Sequence, residues 1–255
     1  GNKWEFRAVG SSQSISFPAT VLNTVVAESI DEMCTKLEAD LAKGTAFDDA
    51  LRTVLAAETR EFKHIIFNGD NYSAEWVEEA KRRGLLNRQS TLDALPAIVA
   101  EKNAVLFEKY GVLTHRELES RYEIHVDHYF KTVNIEGETA QYMAQTMVLP
   151  AATRYLADLV STAERADGVG LKTEGVLVTA RKVNDLIDRL TEKIEVLAAR
   201  NQELGGDDVF SKAEHMRKNV IPAMTDVRDV VDRLERVIPD DLWPFPTYRE
   251  MLFIK

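Results

Sequence analysis

Two long apolar stripes constrain this chain more than any other feature. Val176, Val183, Leu186, Leu190, Ile194 and Leu197 recur at helical steps through 172–203, and Val220, Met224, Val227, Val231, Leu234 and Ile238 do so through 209–238. Such steps gather apolar side chains on one side of an α-helix, and Gly205-Gly206 between the stripes lets the chain turn back. The spacing predicts an antiparallel helix hairpin touching along Val183, Leu190 and Ile194. On its outer faces Asp185/Arg189, Asp229/Arg233 and Asp232/Arg236 set an acid four residues before a base, the favourable order for pairing on a solvated helix.

Helical punctuation runs through most of the remainder. Pro18 suits a first helical turn, Val26, Ile30, Met33, Leu37 and Leu41 form a stripe, and Gly44 is a stop. Cys34 flanks that stripe and reads as a small buried thiol. A second helix is predicted over 47–64, and a third after the N-cap Ser73, ending near Gly84. The turn Asn68-Gly69-Asp70-Asn71 has a calcium-loop look, but counting from Asp70 puts Lys81 at the closing position that such loops give to Glu. Thr114 and Glu117 make a capping box that opens helical periodicity reaching almost to Asp167, with Gly137 and Pro150 as bends. Only 3–9, Lys-Trp-Glu-Phe-Arg-Ala-Val, alternates charged and apolar residues as a half-buried strand does. The apolar tail 239–255 is expected to pack back through Trp243, Phe245, Tyr248, Leu252 and Phe253. The fold class is therefore mainly α, with no internal repeat of fixed period.

Composition excludes several function classes. A formal charge of −10 over 255 residues lacks the basic footprint of a nucleic-acid binder. With Cys34 as the single cysteine, an intrachain disulfide and a Cys-based zinc site are both impossible, which fits a reducing cytoplasm. No apolar run approaches the ~20 residues of a membrane span. The chain opens without Met directly into the strand pattern, so it reads as a piece of something longer.

Three constellations are candidates for chemistry. Lys3, Glu5 and Arg7 share one strand face, a plus-minus-plus row able to offer a carboxylate to a metal and cations to phosphate or carboxylate groups. His125 and His128 are three residues apart on a helix, but a third ligand at helical spacing is missing, which favours ordinary surface histidines. The run Gly168-Val169-Gly170-Leu171-Lys172-Thr173 lacks both the Gly-Lys junction and the preceding strand of a phosphate loop.

Four segments together resemble the C-terminal part of type III glutamine synthetases: Gly1-Asn2-Lys3-Trp4-Glu5-Phe6-Arg7-Ala8-Val9-Gly10-Ser11-Ser12, Phe67-Asn68-Gly69-Asp70-Asn71-Tyr72-Ser73-Ala74-Glu75-Trp76, Arg82-Arg83-Gly84-Leu85, and Trp243-Pro244-Phe245-Pro246-Thr247-Tyr248-Arg249-Glu250. They occur in family order from the first residues to the last. The resemblance implies an ATP-dependent ligase that joins ammonia to glutamate through γ-glutamyl phosphate, with magnesium or manganese as cofactor. It implies that Glu5 is a metal ligand, that Lys3 lies by the nucleotide phosphates, and that Arg7 is a catalytic residue contacting glutamate and the transferring phosphoryl. Lys3 stands where the family commonly has Arg, Trp4 replaces a usual Phe, and Phe17-Pro18-Ala19 stands where several members carry Gly-Pro-Asn. The domain reading that follows is the end of a catalytic domain over 1–110, whose strand joins the parent enzyme's catalytic sheet, a long-helix region over 111–238, and the tail. A cytoplasmic homo-oligomer of double hexameric rings is implied for the full enzyme, with partners limited to glutamate, ammonia and ATP, and neither nucleic acid nor membrane. The alternative is a non-catalytic helical assembly module, and the isolated chain is expected to be inactive.

Overall fold

A computed structural model describes residues 13–252, except the side chains of Tyr248 and Arg249. The predicted strand 3–9, with Lys3, Glu5 and Arg7, lies outside the described residues, as does Phe253. Within them every regular element is helical: α1 (Ser16–Ala42), α2 (Phe47–Phe62), α3 (Ala74–Arg82), α4 (Thr91–Ala94), α5 (Glu101–Lys109), α6 (His115–Met143), α7 (Leu149–Asp167), α8 (Glu174–Gln202), α9 (Val209–His215), α10 (Ile221–Glu235) and α11 (Tyr248–Leu252). The chain divides into two compact units at Tyr122/Glu123, inside α6.

In the first unit the expected boundaries appear with their causes. Gly44 ends α1 at φ +85°, where only glycine avoids strain, and the Ser73 side chain accepts a hydrogen bond from the Trp76 amide to start α3. Thr114 and Glu117 satisfy each other's backbone amides at 3.3 and 2.8 Å ahead of α6. The core is small: Ala104, Phe107, Leu113 and Leu118, with Phe17, Val21 and Ile98 packed against it.

The α1 stripe corrects an expectation. Val26 and Ile30 remain 47% and 51% exposed, and Cys34 is exposed rather than buried. The face that α1 turns inward runs instead through Phe17, Val21 and the buried Thr24 to Glu28 and Asp31, which reach Lys109 of α5 at 2.6 and 3.0 Å. Residues 26 and 28 are about 200° apart around a helix, so covering one face leaves the other open. Apolar recurrence marks a stripe, but the neighbour's position decides whether it is covered.

In the second unit Leu186, Leu190, Ile194 and Leu197 of α8 form one core with Val133, Val148, Met216, Val220, Val227, Leu234, Ile238 and Trp243. Val183 is also fully buried, though outside that cluster. The Arg200 carbonyl receives a hydrogen bond from His215 at 2.8 Å, and Lys193 pairs with Asp226 of α10 at 3.2 Å. None of the pairs Asp185/Arg189, Asp229/Arg233 and Asp232/Arg236 forms; Asp232 pairs instead with Arg228 at 3.6 Å. Solvated charges gain little by closing such pairs, because side-chain entropy offsets the attraction.

Proline shapes both long helical runs in the same way. A wide π turn, Ala144–Val148, precedes Pro150, and another, Met216–Val220, precedes Pro222. Proline lacks the N–H for the α-helical bond and clashes with the carbonyl four residues back, and a wider turn relieves both defects. Val148-Leu149-Pro150-Ala151 and Val220-Ile221-Pro222-Ala223 are thus one device used twice, with Val148 and Val220 both buried.

Gly137 sits inside uninterrupted α6, and its role is close approach. A Cβ there would overlap Asn201 Oδ1 and come within 2.8 Å of Val220 Cγ1. Asn201 is only 7% exposed, yet neither of its side-chain polar atoms has a hydrogen-bond partner, and Asn134 Oδ1 nearby in sequence to Gly137 is also buried and unpartnered. The tail packs partly as expected: Trp243 is buried and meets Phe245 edge-on at 6.1 Å, whereas Leu252 is 78% exposed.

Candidate functional site

The most organised polar site among the described residues surrounds the turn at Asn68–Ser73. Two residues with special backbone needs frame it. Gly69 faces the Phe67 ring so closely that a Cβ would overlap it, and Gly84 closes α3 at φ +74°. Between them Asp70 Oδ1 accepts the Tyr72 amide at 2.9 Å, forming an Asx-turn, and the Asp70 carbonyl accepts the Ser73 hydroxyl at 3.0 Å.

Arg83 binds the segment that leads into this turn, residues 64–67, to α3. Its Nη1 donates to the carbonyls of His64 and Ile66 at 3.1 and 2.9 Å, and its Nε donates to Glu79. Its guanidinium carbon lies 5.7 Å from the ring centres of both Phe67 and Trp76, which stack on each other at 4.2 Å. Glu79 also accepts from Arg82 Nε at 2.7 Å, and the hydrogen bonds from Arg82 and Arg83 hold its carboxyl below the usual range. Trp76, Glu79 and Arg83 stand at i, i+3 and i+7 of one helix face, a spacing legible in the sequence although its partner Phe67 is not. The motif residues Phe67, Trp76 and Arg83 thus serve to hold a turn, and Tyr72 stands 89% exposed at its tip. Lys81 lies in the last turn of α3 and brings an ammonium where a calcium loop needs its closing carboxylate, so the turn is not a calcium loop.

The other candidates are placed as follows. His125 is half-buried and His128 exposed on α6, and among the described residues no group of three or more His, Cys, Asp or Glu side chains is arranged to hold a metal. The Gly168–Thr173 run is the turn between α7 and α8, with Gly170 at φ +76°. No described helix is long and apolar enough to cross a membrane. The opening row of Lys3, Glu5 and Arg7 lies outside the described residues.

Comparison with known proteins draws these pieces together. Residues 50–167, which include the Arg83 clasp, match the family model of the glutamine synthetase C-terminal domain. The chain is 35% identical over 269 residues to a type-3 glutamine synthetase of Dictyostelium discoideum, a match covering 100% of this chain and 36% of that protein. It is 28% identical over 263 residues to a glutamine synthetase of Bacteroides fragilis (strain YCH46), with 100% and 36% covered. To a glutamine synthetase of Butyrivibrio fibrisolvens it is 30% identical over 215 residues, with 82% and 30% covered. Spanning about a third of the length of these relatives, the chain belongs to the type III glutamine synthetases as a C-terminal part.

Proposed function

We propose that the protein to which this chain belongs is an ATP-dependent ligase that makes glutamine from glutamate and ammonia, and that this chain brings one active-site strand together with a helical region. The observation that carries the reading is the match to a type-3 glutamine synthetase along 100% of the chain. The glutamate side-chain carboxylate attacks the γ-phosphorus of ATP and ADP departs, and ammonia then displaces phosphate from the acyl carbon. Arg7 is the catalytic residue of this strand: its guanidinium orients glutamate and meets the negative charge that builds on the transferring phosphoryl oxygens. Lys3, by the nucleotide phosphates, acts as a point charge where an arginine would bind bidentately.

Glu5 supplies the metal-binding group. Its carboxylate is the hard oxygen donor that magnesium or manganese prefers, so it fits in kind, but such ions need about six oxygen ligands. The remaining carboxylates come from the rest of the full-length protein, and the isolated chain is inactive for that reason. Bound at Glu5, the ion would supply charge neutralisation at the phosphates. The reading also takes 1–110 as the end of the catalytic domain, 172–203 and 209–238 as one antiparallel hairpin, and the complete cytoplasmic enzyme as a homo-oligomer of double hexameric rings. Support for the hairpin comes from the Arg200–His215 and Lys193–Asp226 contacts.

The test is γ-glutamyl hydroxamate formation by the full-length enzyme, by its Glu5→Gln and Arg7→Ala variants, and by this chain alone. Each variant is expected to lose about 2.7–4 kcal/mol of transition-state stabilisation, a hundredfold or more in rate. Near-normal turnover in either variant, or activity in the isolated chain, overturns the assignment.

A further inference from the structure

Among the described residues, four cations that form no ion pair converge on a single hollow between α8 and α10. Lys182, Asp185 and Arg189 stand at i, i+3 and i+7 of α8, and Arg233 and Arg236 at i and i+3 where α10 ends; with Leu186 they line a cavity of about 350 Å³. Three net positive charges thus gather in a chain whose formal charge is −10. Among the described residues none of the four cations makes an ion pair or a side-chain hydrogen bond, although Asp229 and Asp232 precede Arg233 and Arg236 by the favourable four residues. The end of α10 accounts for part of this, because a helix C-terminus favours cations. That effect does not account for Lys182 and Arg189, which lie well inside α8.

We infer that this hollow binds a diphosphate group. Guanidinium forks match phosphate oxygens two at a time, and three arginines with one lysine can engage two linked phosphoryl groups from opposite walls. The size suits a small ligand, since binding cavities begin at roughly 300 Å³. A single carboxylate would leave most of the positive charge unanswered, whereas a diphosphate matches it. Asp185 offsets one of the four positive charges and leaves the three that a diphosphate answers. The inference does not depend on the catalytic reading, because none of its residues belongs to the strand 3–9 or to residues 50–167.

The experiment is isothermal titration of the 255-residue chain in phosphate-free, low-salt buffer with inorganic pyrophosphate, orthophosphate and ADP. Pyrophosphate should bind one to one, about tenfold tighter than orthophosphate. Binding of ADP tighter than pyrophosphate assigns the site to a nucleoside diphosphate, and equal or weaker binding assigns it to the free diphosphate group. Two separate double variants, Arg189→Gln with Arg233→Gln and Lys182→Gln with Arg236→Gln, should each weaken pyrophosphate binding tenfold or more, with helix content by circular dichroism unchanged. Lys218→Gln, which removes a cation paired with Glu214, should bind as the parent chain does. Absence of pyrophosphate binding at millimolar concentration, binding unchanged in both folded double variants, or equal affinity for orthophosphate overturns the inference.

Discussion

The two units of this chain are held by different forces. Residues 13–122 have a core of a few side chains and rely on polar devices, some local and some long-range: the Thr114–Glu117 box, the Arg83 clasp and the Glu28/Asp31–Lys109 cluster. Residues 123–252 pack Leu190, Leu197, Met216, Val220 and Leu234, all fully buried, into one continuous core. The difference teaches that uniformly helical secondary structure says little about what stabilises it. One unit is tuned by capping and charge, the other by volume.

The largest test of that contrast lies in the second core. Leu190→Ala is expected to cost about 2.7–5 kcal/mol by the known range for buried leucine truncation, read as a fall in the urea midpoint. A loss under about 1 kcal/mol would show the core to be looser than its burial indicates.

Next in size is the Gly137–Asn201 approach. Gly137→Ala should destabilise by about 1–3 kcal/mol through overpacking, and by less in an Asn201→Ala background, where the overlapping Oδ1 is gone. Asn201→Ala alone should be close to neutral, because it removes a buried group that has no partner. Additive effects in this double-mutant cycle would break the proposed coupling.

In the first unit, Arg83→Lys should loosen the Asn68–Ser73 turn, since an ammonium cannot bridge the His64 and Ile66 carbonyls while spanning two rings. The cost is about 1–2 kcal/mol, seen as faster amide exchange over 64–84 with residues 183–197 unaffected. Ser73→Ala should cost about 1 kcal/mol through the lost N-cap and speed exchange at the start of α3.

The smallest effect is pH dependence in the charge cluster. Hydrogen bonds from Lys109 lower the carboxyl pKa of Glu28 and Asp31 from ordinary values of 4.5 and 3.8. A lowered acid contributes stability above its ordinary value and loses it as pH falls through the lowered one, so the contribution should fade below about pH 4.5. The difference in exchange at α1 and α5 between the parent chain and Lys109→Gln should shrink over that range. A difference that persists in acid would show that packing, not charge, ties α1 to α5.

These contrasts also show what could be read from the sequence. The helices over 172–203 and 209–238, the Ser73 cap and the Thr114–Glu117 box were legible because each is a local pattern with a local cause. The burial of Cys34 was misread because the covered face of α1 is set by neighbours distant in the chain, not by the helix's own stripe. Short α4 and α5 carried no stripe long enough to mark them, and the ion pairs expected along α8 and α10 gave way to solvation. The row Lys3, Glu5 and Arg7 rests on sequence alternation alone and lies outside the described residues, whereas the Arg83 clasp needed the fold to bring Phe67 onto Trp76.

The paired π turns carry a consequence for how this chain can change. Each wide turn houses about one residue more than an α turn, so each is a place where the length of a long helix is adjustable by one. Deleting that residue alone would restore ordinary pitch and drive Pro150 or Pro222 against the carbonyl four positions earlier, while replacing the proline alone would leave the extra residue without a reason. The dependence therefore runs one way: the proline can be replaced first, but the extra residue can be removed only once its proline is gone.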